Sequence, residues 1–169
     1  MNKVAKPRSR KNIRTITKMI RELCGLKDNL EFPILYFLEH ILPKIFEDFV
    51  FCVVEDDELD CEAIAYPNSN EIIIRKSVYD GAFEGVYRDL FTIAHEIGHL
   101  FLHQETSISF ARGRDIEIKT YENPEWQANT FAGELLAPPD LIQNMSIDEI
   151  SKKCKVSRKT AEIQKSYCN

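Results

Sequence analysis

The sequence predicts an α+β fold, and three features of its 169 residues predict it. Stretches with helical apolar spacing stand towards both ends of the chain. Between the first two and the rest lie three short apolar runs, residues 49–54, 61–66 and 71–75, bounded by turn formers as strands are. The length suits one domain around one core.

Taken in order, residues 1–11 are basic and patternless and read as a disordered arm. Asn12 to Leu23 carries Ile13, Ile16, Ile20 and Leu23 on one helical face, and Gly25 ends that helix. Glu31 to Phe46 repeats the pattern through Leu35, Leu38, Ile41, Leu42 and Ile45, with Pro43 placed to kink or divide it. Phe49 to Val54 reads as a strand. Cys61–Tyr66 and Glu71–Arg75 flank the turn Pro67-Asn68-Ser69-Asn70 and read as a hairpin. The three runs together give a small antiparallel or mixed three-stranded sheet. Tyr87 to His103 is the strongest helix, with a broad apolar face. Glu105 to Tyr121 lacks periodicity and reads as a long functional loop, with room for a strand at Ile116–Ile118. Asn123-Pro124 opens a helix that stops at Pro138-Pro139, and a last helical region covers Ser146 to Ser166. The resulting division is a basic arm at 1–11, a catalytic-size domain at 12–140, and a helical segment at 141–169 packed on it.

Composition narrows the classes. No apolar run is long enough to span a bilayer, and the basic N-terminus is not followed by the apolar stretch of a secretory signal, which predicts a cytoplasmic protein. The five cysteines, at 24, 52, 61, 154 and 168, form no C-x-x-C pair. That makes a poor thiolate zinc site and a poor disulfide framework, and favours Cys24, Cys52 and Cys61 as small buried hydrophobes. Residues 1–21 hold eight cations and no acid although the whole chain is at -5, so a basic arm precedes an acidic body. Such an arm suits nucleic acid or an acidic partner, but a solvated terminus explains it as well and is favoured.

The chemistry lies on two helices. His95 and His99 are four residues apart in His95-Glu96-Ile97-Gly98-His99, so they share one helix face and can bind one Zn²⁺. Glu96 stands to the side of that pair, where a carboxylate can take a proton from water without ligating the metal. With four His in 169 residues, chance produces this pattern only about 0.01 times. A catalytic site needs a third protein ligand. His103 continues the spacing but lies about 12 Å along the axis from His95, too far to converge; it suits a supporting role. Glu125, in the first turn of the next helix, is the better ligand, with Asn129 one turn on and on its face. Glu134 competes, but nine positions put it on the opposite side. Small residues at Gly98, Ala128, Ala132 and Gly133 allow the two helices close approach. His103 and Tyr121 are candidate donors to a developing oxyanion, and the Glu71–Arg75 strand is a candidate for pairing with an extended substrate.

The runs FTIAHEIGHLFLH at 91–103 and EWQANTFAGELLAP at 125–138 resemble the ImmA/IrrE family of metallopeptidases, and the likeness covers roughly residues 60 to 165. The resemblance implies a zincin-like fold with a zinc site held by His95, His99 and Glu125 and with Glu96 as general base. It also implies a regulatory protease of phage, mobile elements or stress response, whose partner is a helix-turn-helix repressor or an antitoxin. Residues 1–59 match no motif of that family. The segment Ser146–Ala161 looks like a helix-turn-helix and is basic through Lys152, Lys153, Lys155, Arg158, Lys159 and Lys165. DNA reading is the alternative use of it, and packing on the core is the favoured one. The competing function is a DNA- or protein-binding regulator, or a toxin–antitoxin component, in which zinc is structural. An intact Glu96 counts against that, since a structural site has no use for a carboxylate beside the metal.

Overall fold

A computed structural model of the chain describes residues 3–104, 108–110 and 118–168. The elements are β1 (Lys3–Ala5), α1 (Arg10–Leu23), α2 (Ile34–Tyr36), a π turn (Phe37–Ile41), α3 (Leu42–Ile45), β2 (Val50–Val54), β3 (Ala63–Tyr66), β4 (Glu71–Arg75), α4 (Lys76–Phe83), α5 (Tyr87–Leu102), β5 (Ile108–Phe110), α6 (Pro124–Leu136), α7 (Pro139–Ile142), α8 (Ile147–Cys154) and α9 (Arg158–Ser166). The fold is α+β with a mixed three-stranded sheet, as expected.

That sheet has the order β2-β4-β3. β3 and β4 form the expected antiparallel hairpin, with Ala65 opposite Ile72, and β2 runs parallel to β4 on the other side. β4 is therefore the central strand. Both of its edges are paired, so it cannot accept an extended substrate as the sequence suggested; the free edges belong to β2 and β3. Ile72 and Ile74 of β4 are fully buried, and α5 packs beside β3 and β4.

The basic N-terminus is part of the fold. Lys3–Ala5 pairs antiparallel with Ile108–Phe110, Ala5 is buried, and the Arg8 amide donates to the Tyr121 carbonyl at 2.9 Å. Ser9 caps α1 through a reciprocal box with Asn12. The disordered-arm reading fails because the pairing partner lies over a hundred residues away, where local pattern carries no signal. Four of the five cations of α1 have intramolecular partners as well. Arg10 and Arg14 bond Glu134 at 2.8 Å each, Lys18 pairs with Asp140, and the buried Arg21 donates to the carbonyls of Leu135 and Asn29. Burial pulls the Arg21 pKa down to about 10.

Within 31–46 the helical pattern is broken at the expected place. Pro43 has no N–H to give, and the ladder slips by one residue into a π turn, with the Leu42 amide reaching the Phe37 carbonyl. Phe37, Leu38 and Leu42 stay buried across the slip. Cys52 and Cys61 are exposed and Cys24 half-buried, contrary to the buried reading: Cys52 lies on β2, an edge strand that leaves Val50 and Val53 to solvent too, and Cys61 lies in the loop before β3. The strand considered at Ile116–Ile118 falls largely outside the described residues; Ile118 itself is irregular, and the strand described in that loop is β5.

α5 and α6 form the central helix pair. A Cβ on Gly98 would stand 3.1 Å from the Phe131 side chain and 3.2 Å from the Ala128 carbonyl, so the helices touch there with no room to spare. Gly133 serves a different neighbour: its missing Cβ leaves space for Gln164 of α9. The C-terminal segment packs on the core through Ile150, Cys154, Val156 and Ala161, all buried. Lys155 in the left-handed region turns α8 into α9, and Gln164 donates to the Ala137 carbonyl at 3.1 Å. Among the described residues no helix is long and apolar enough to cross a membrane.

Candidate metal centre

Three side chains meet where α5 faces the start of α6. Asn123 caps α6 by accepting from the amides of Glu125 (2.9 Å) and Trp126 (3.2 Å), and Pro124 follows it. This fixes Glu125 in the first turn, where the helix dipole favours a negative charge. Its carboxylate lies 3.1 Å from His95 Nε2 and 3.5 Å from His99 Nε2, and the two Nε2 atoms are 3.0 Å apart. One ligand atom from each of the three falls within 4.8 Å of the others, spacing that suits a single ion.

Hydrogen bonding behind the histidines decides which nitrogens face that point. Gln127 donates through Nε2 to the carbonyls of Lys6 (2.9 Å) and Tyr121 (2.7 Å), so its Oε1 is left to accept from His103 Nε2 at 3.0 Å. His103 then has a bare Nδ1, which accepts from His99 Nδ1 at 2.8 Å. That leaves the His99 Nε2 lone pair directed at Glu125 and His95. On the other side, His95 Nδ1 donates to Asn129 Oδ1 at 2.8 Å, which bares its Nε2 likewise. Two imidazole lone pairs and a carboxylate converge, and such a set repels itself unless a proton or a cation lies among its members. The donor set and its orientation fit a divalent metal, with outer partners of the kind that orient metal-bound histidines.

Electrostatics agree. Where protons rather than a cation fill that point, hydrogen bonds from His95 and His99 hold the Glu125 carboxyl far below the usual range. Burial alone would lower the His95 pKa, but its hydrogen bond with Glu125 and the charges of Glu96 and Glu125 outweigh that and raise it. His103, 2% exposed, is driven down to about 4, chiefly by burial, and so stays neutral as the relay requires. Glu96 is 8% exposed and accepts from the Ala65 amide of β3 at 2.7 Å. Burial raises its pKa, the direction that suits a proton acceptor beside a metal.

The expected site residues divide as follows. His95, Glu96, His99 and Glu125 line one pocket together with Ala63 and Ala65 of β3. Asn129 and His103 stand behind the histidines. Both ring nitrogens of His103 are engaged, so it has no proton to offer an oxyanion. Tyr121 contributes its backbone carbonyl to Gln127, while its half-exposed ring lies under Lys119. Gln127 escaped sequence reasoning. Its cue was phase: it is two residues from Glu125, on a side of α6 expected to be apolar, and it is fully buried. Glu134, the rival ligand, is buried against Arg10 and Arg14.

Residues 82–164 match the family model described as Peptidase_M78, IrrE N-terminal-like domain. This segment, a little under half of the chain, is similar to that family. The match covers both helices of the metal centre and the C-terminal helices through most of α9, and it bears out the ImmA/IrrE resemblance. The M78 family is a metallopeptidase family, which implies a metal in the site. No curated protein matches the chain.

Proposed function

We propose that the protein is a zinc-dependent endopeptidase that cleaves a regulatory protein partner, a helix-turn-helix repressor or an antitoxin. The observation that carries the catalytic part is the convergence of His95, His99 and Glu125 with the non-ligating, buried Glu96 beside them. The choice of partner rests on the family resemblance.

Zinc, when bound, supplies a Lewis acid that polarises the scissile carbonyl and acidifies water. Glu96 takes the proton of the attacking water and passes it to the leaving amide nitrogen. The Ala65 amide holds that carboxylate on the pocket side of β3. Because Glu62 points its carbonyl at β4, strand alternation turns the backbone of Ala63 and Ala65 to the free edge of β3. The Ala65 amide is taken by Glu96, and the Ala63 amide and the Ala65 carbonyl remain for an extended substrate to pair with, directly beside Glu96.

Co-expression with a candidate helix-turn-helix repressor or antitoxin tests this reading. Wild type should yield fragments of the partner, and Glu96→Gln should leave it intact. Equal disappearance of the partner with both proteins would refute proteolysis by this site, and an equal biological effect without fragments would favour a binding regulator.

A further inference from the structure

A second, larger cleft adjoins the metal centre. Its volume is about 740 Å³, against about 290 Å³ for the pocket at the histidines, and it lies between α5, α6 and α9. The size is that of a site for a small ligand or a few side chains. Tyr87 and Phe91 line it, two turns and one turn before His95 at four-residue spacing, so one stripe of α5 runs from the cleft to the metal ligand. Asn129, which bonds His95, lines it too. Trp126, next to Glu125, and the partly exposed Ile163 and Tyr167 of the C-terminal segment complete an apolar wall.

The cleft is also positive. The chain carries -5 overall, yet the lining includes Arg10, Arg88 and Lys159 and no acid. Arg10 is paired with Glu134 and Arg88 with Glu62, but Lys159 has no ion pair among the described residues. The first turn of α9 adds backbone donors that have no partner within the helix, since Ser157 caps only Thr160 there. A carboxylate is the group this end of the cleft fits, and a large aliphatic or aromatic side chain fits its wall.

We propose that this cleft is a specificity pocket of the peptidase, which takes a large apolar side chain and a neighbouring carboxylate from the extended polypeptide substrate. The proposal rests on the peptidase reading above. It assigns the helix-turn-helix-like segment a use: α9 walls the substrate cleft, with Lys159 as its acid-selecting residue. The largely apolar, half-open cleft and its single unpaired lysine fit a peptide better than a phosphate backbone, which needs a row of cations.

Trp126 is the only tryptophan of the chain, so its fluorescence reports the cleft directly. Full-length, zinc-loaded Glu96→Gln protein is titrated with a capped hexapeptide of two leucines followed by two aspartates, and with a twin bearing lysines for aspartates. The acidic peptide should shift Trp126 emission saturably and bind about tenfold more tightly than its twin. Lys159→Glu, at an exposed position, should abolish that preference with zinc content unchanged, and Ile163→Ser should weaken both peptides. Equal affinity for the two peptides, no response to Lys159→Glu, or tighter binding of a decathymidylate would overturn the proposal. The two readings fail separately. Cleavage by wild type without acidic preference removes the cleft proposal and leaves the peptidase. Selective binding with no cleavage by wild type removes the peptidase and leaves a peptide-binding cleft.

Discussion

Glu125 and Glu134 sit on one helix, nine residues apart, and their surroundings are opposite. Glu134 has a fully buried side chain held by Arg10 and Arg14, and Glu125 has a side chain that is 67% exposed and meets only imidazoles. Both are carboxylates on α6, so residue type does not distinguish them; the partner does. A carboxylate neutralised by two guanidiniums is a structural tie between α1 and α6. One that faces two bare nitrogens is incomplete without a cation. Glu96 is the intermediate case, buried like Glu134 but with a single amide for a partner, so its proton affinity is raised and it is left free to exchange protons.

Four substitutions test that contrast. The largest effect should come from Glu96→Gln, which keeps shape and removes the proton acceptor: peptide cleavage should fall by about 10²–10⁴-fold with zinc retained. A parallel loss of zinc would show that Glu96 ligates rather than transfers protons. Glu134→Leu should destabilise the fold by about 3 kcal/mol in denaturant titration, since it strands two arginines that can only partly turn to water. Its metal content should not change. An unchanged denaturation midpoint would mean that the tie between α1 and α6 is dispensable.

Gln127→Leu removes the last link of the relay behind His99 and lets His103 choose its tautomer. Zinc affinity, measured by competition with a chelator, should weaken about 10–100-fold. No change would show that His99 is oriented by helix geometry alone. Smallest is Gly98→Ala. The new methyl presses on Phe131 and Ala128, an overpacking cost of about 1–3 kcal/mol that the helix preference of alanine offsets in part. A net loss of about 1 kcal/mol is expected in thermal unfolding, and a gain would reveal slack between α5 and α6.

Much of this was legible because it is local. Helical phase separates Glu125 from Glu134, the four-residue spacing of His95 and His99 puts them on one face, and turn chemistry marks the β3–β4 hairpin and the Asn123 cap. What was hidden depends on packing. α4 is only eight residues long with Gly81 inside it, and its neighbour Asp89 would collide with any Cβ there. β1 pairs across most of the chain. β4 reads as an available strand until β2 arrives in parallel on its second edge. The relay from His99 through His103 to Gln127 joins two helices and the carbonyl of Lys6, so no window of sequence contains it.

The central claim is that Glu125 completes a metal centre with His95 and His99 while Glu134 takes no part. Elemental analysis of three purified proteins tests it most directly. Wild type and Glu134→Leu should each carry about one zinc per chain, and Glu125→Gln should carry almost none. Full zinc in Glu125→Gln would contradict the assignment of the third ligand and with it the site described above.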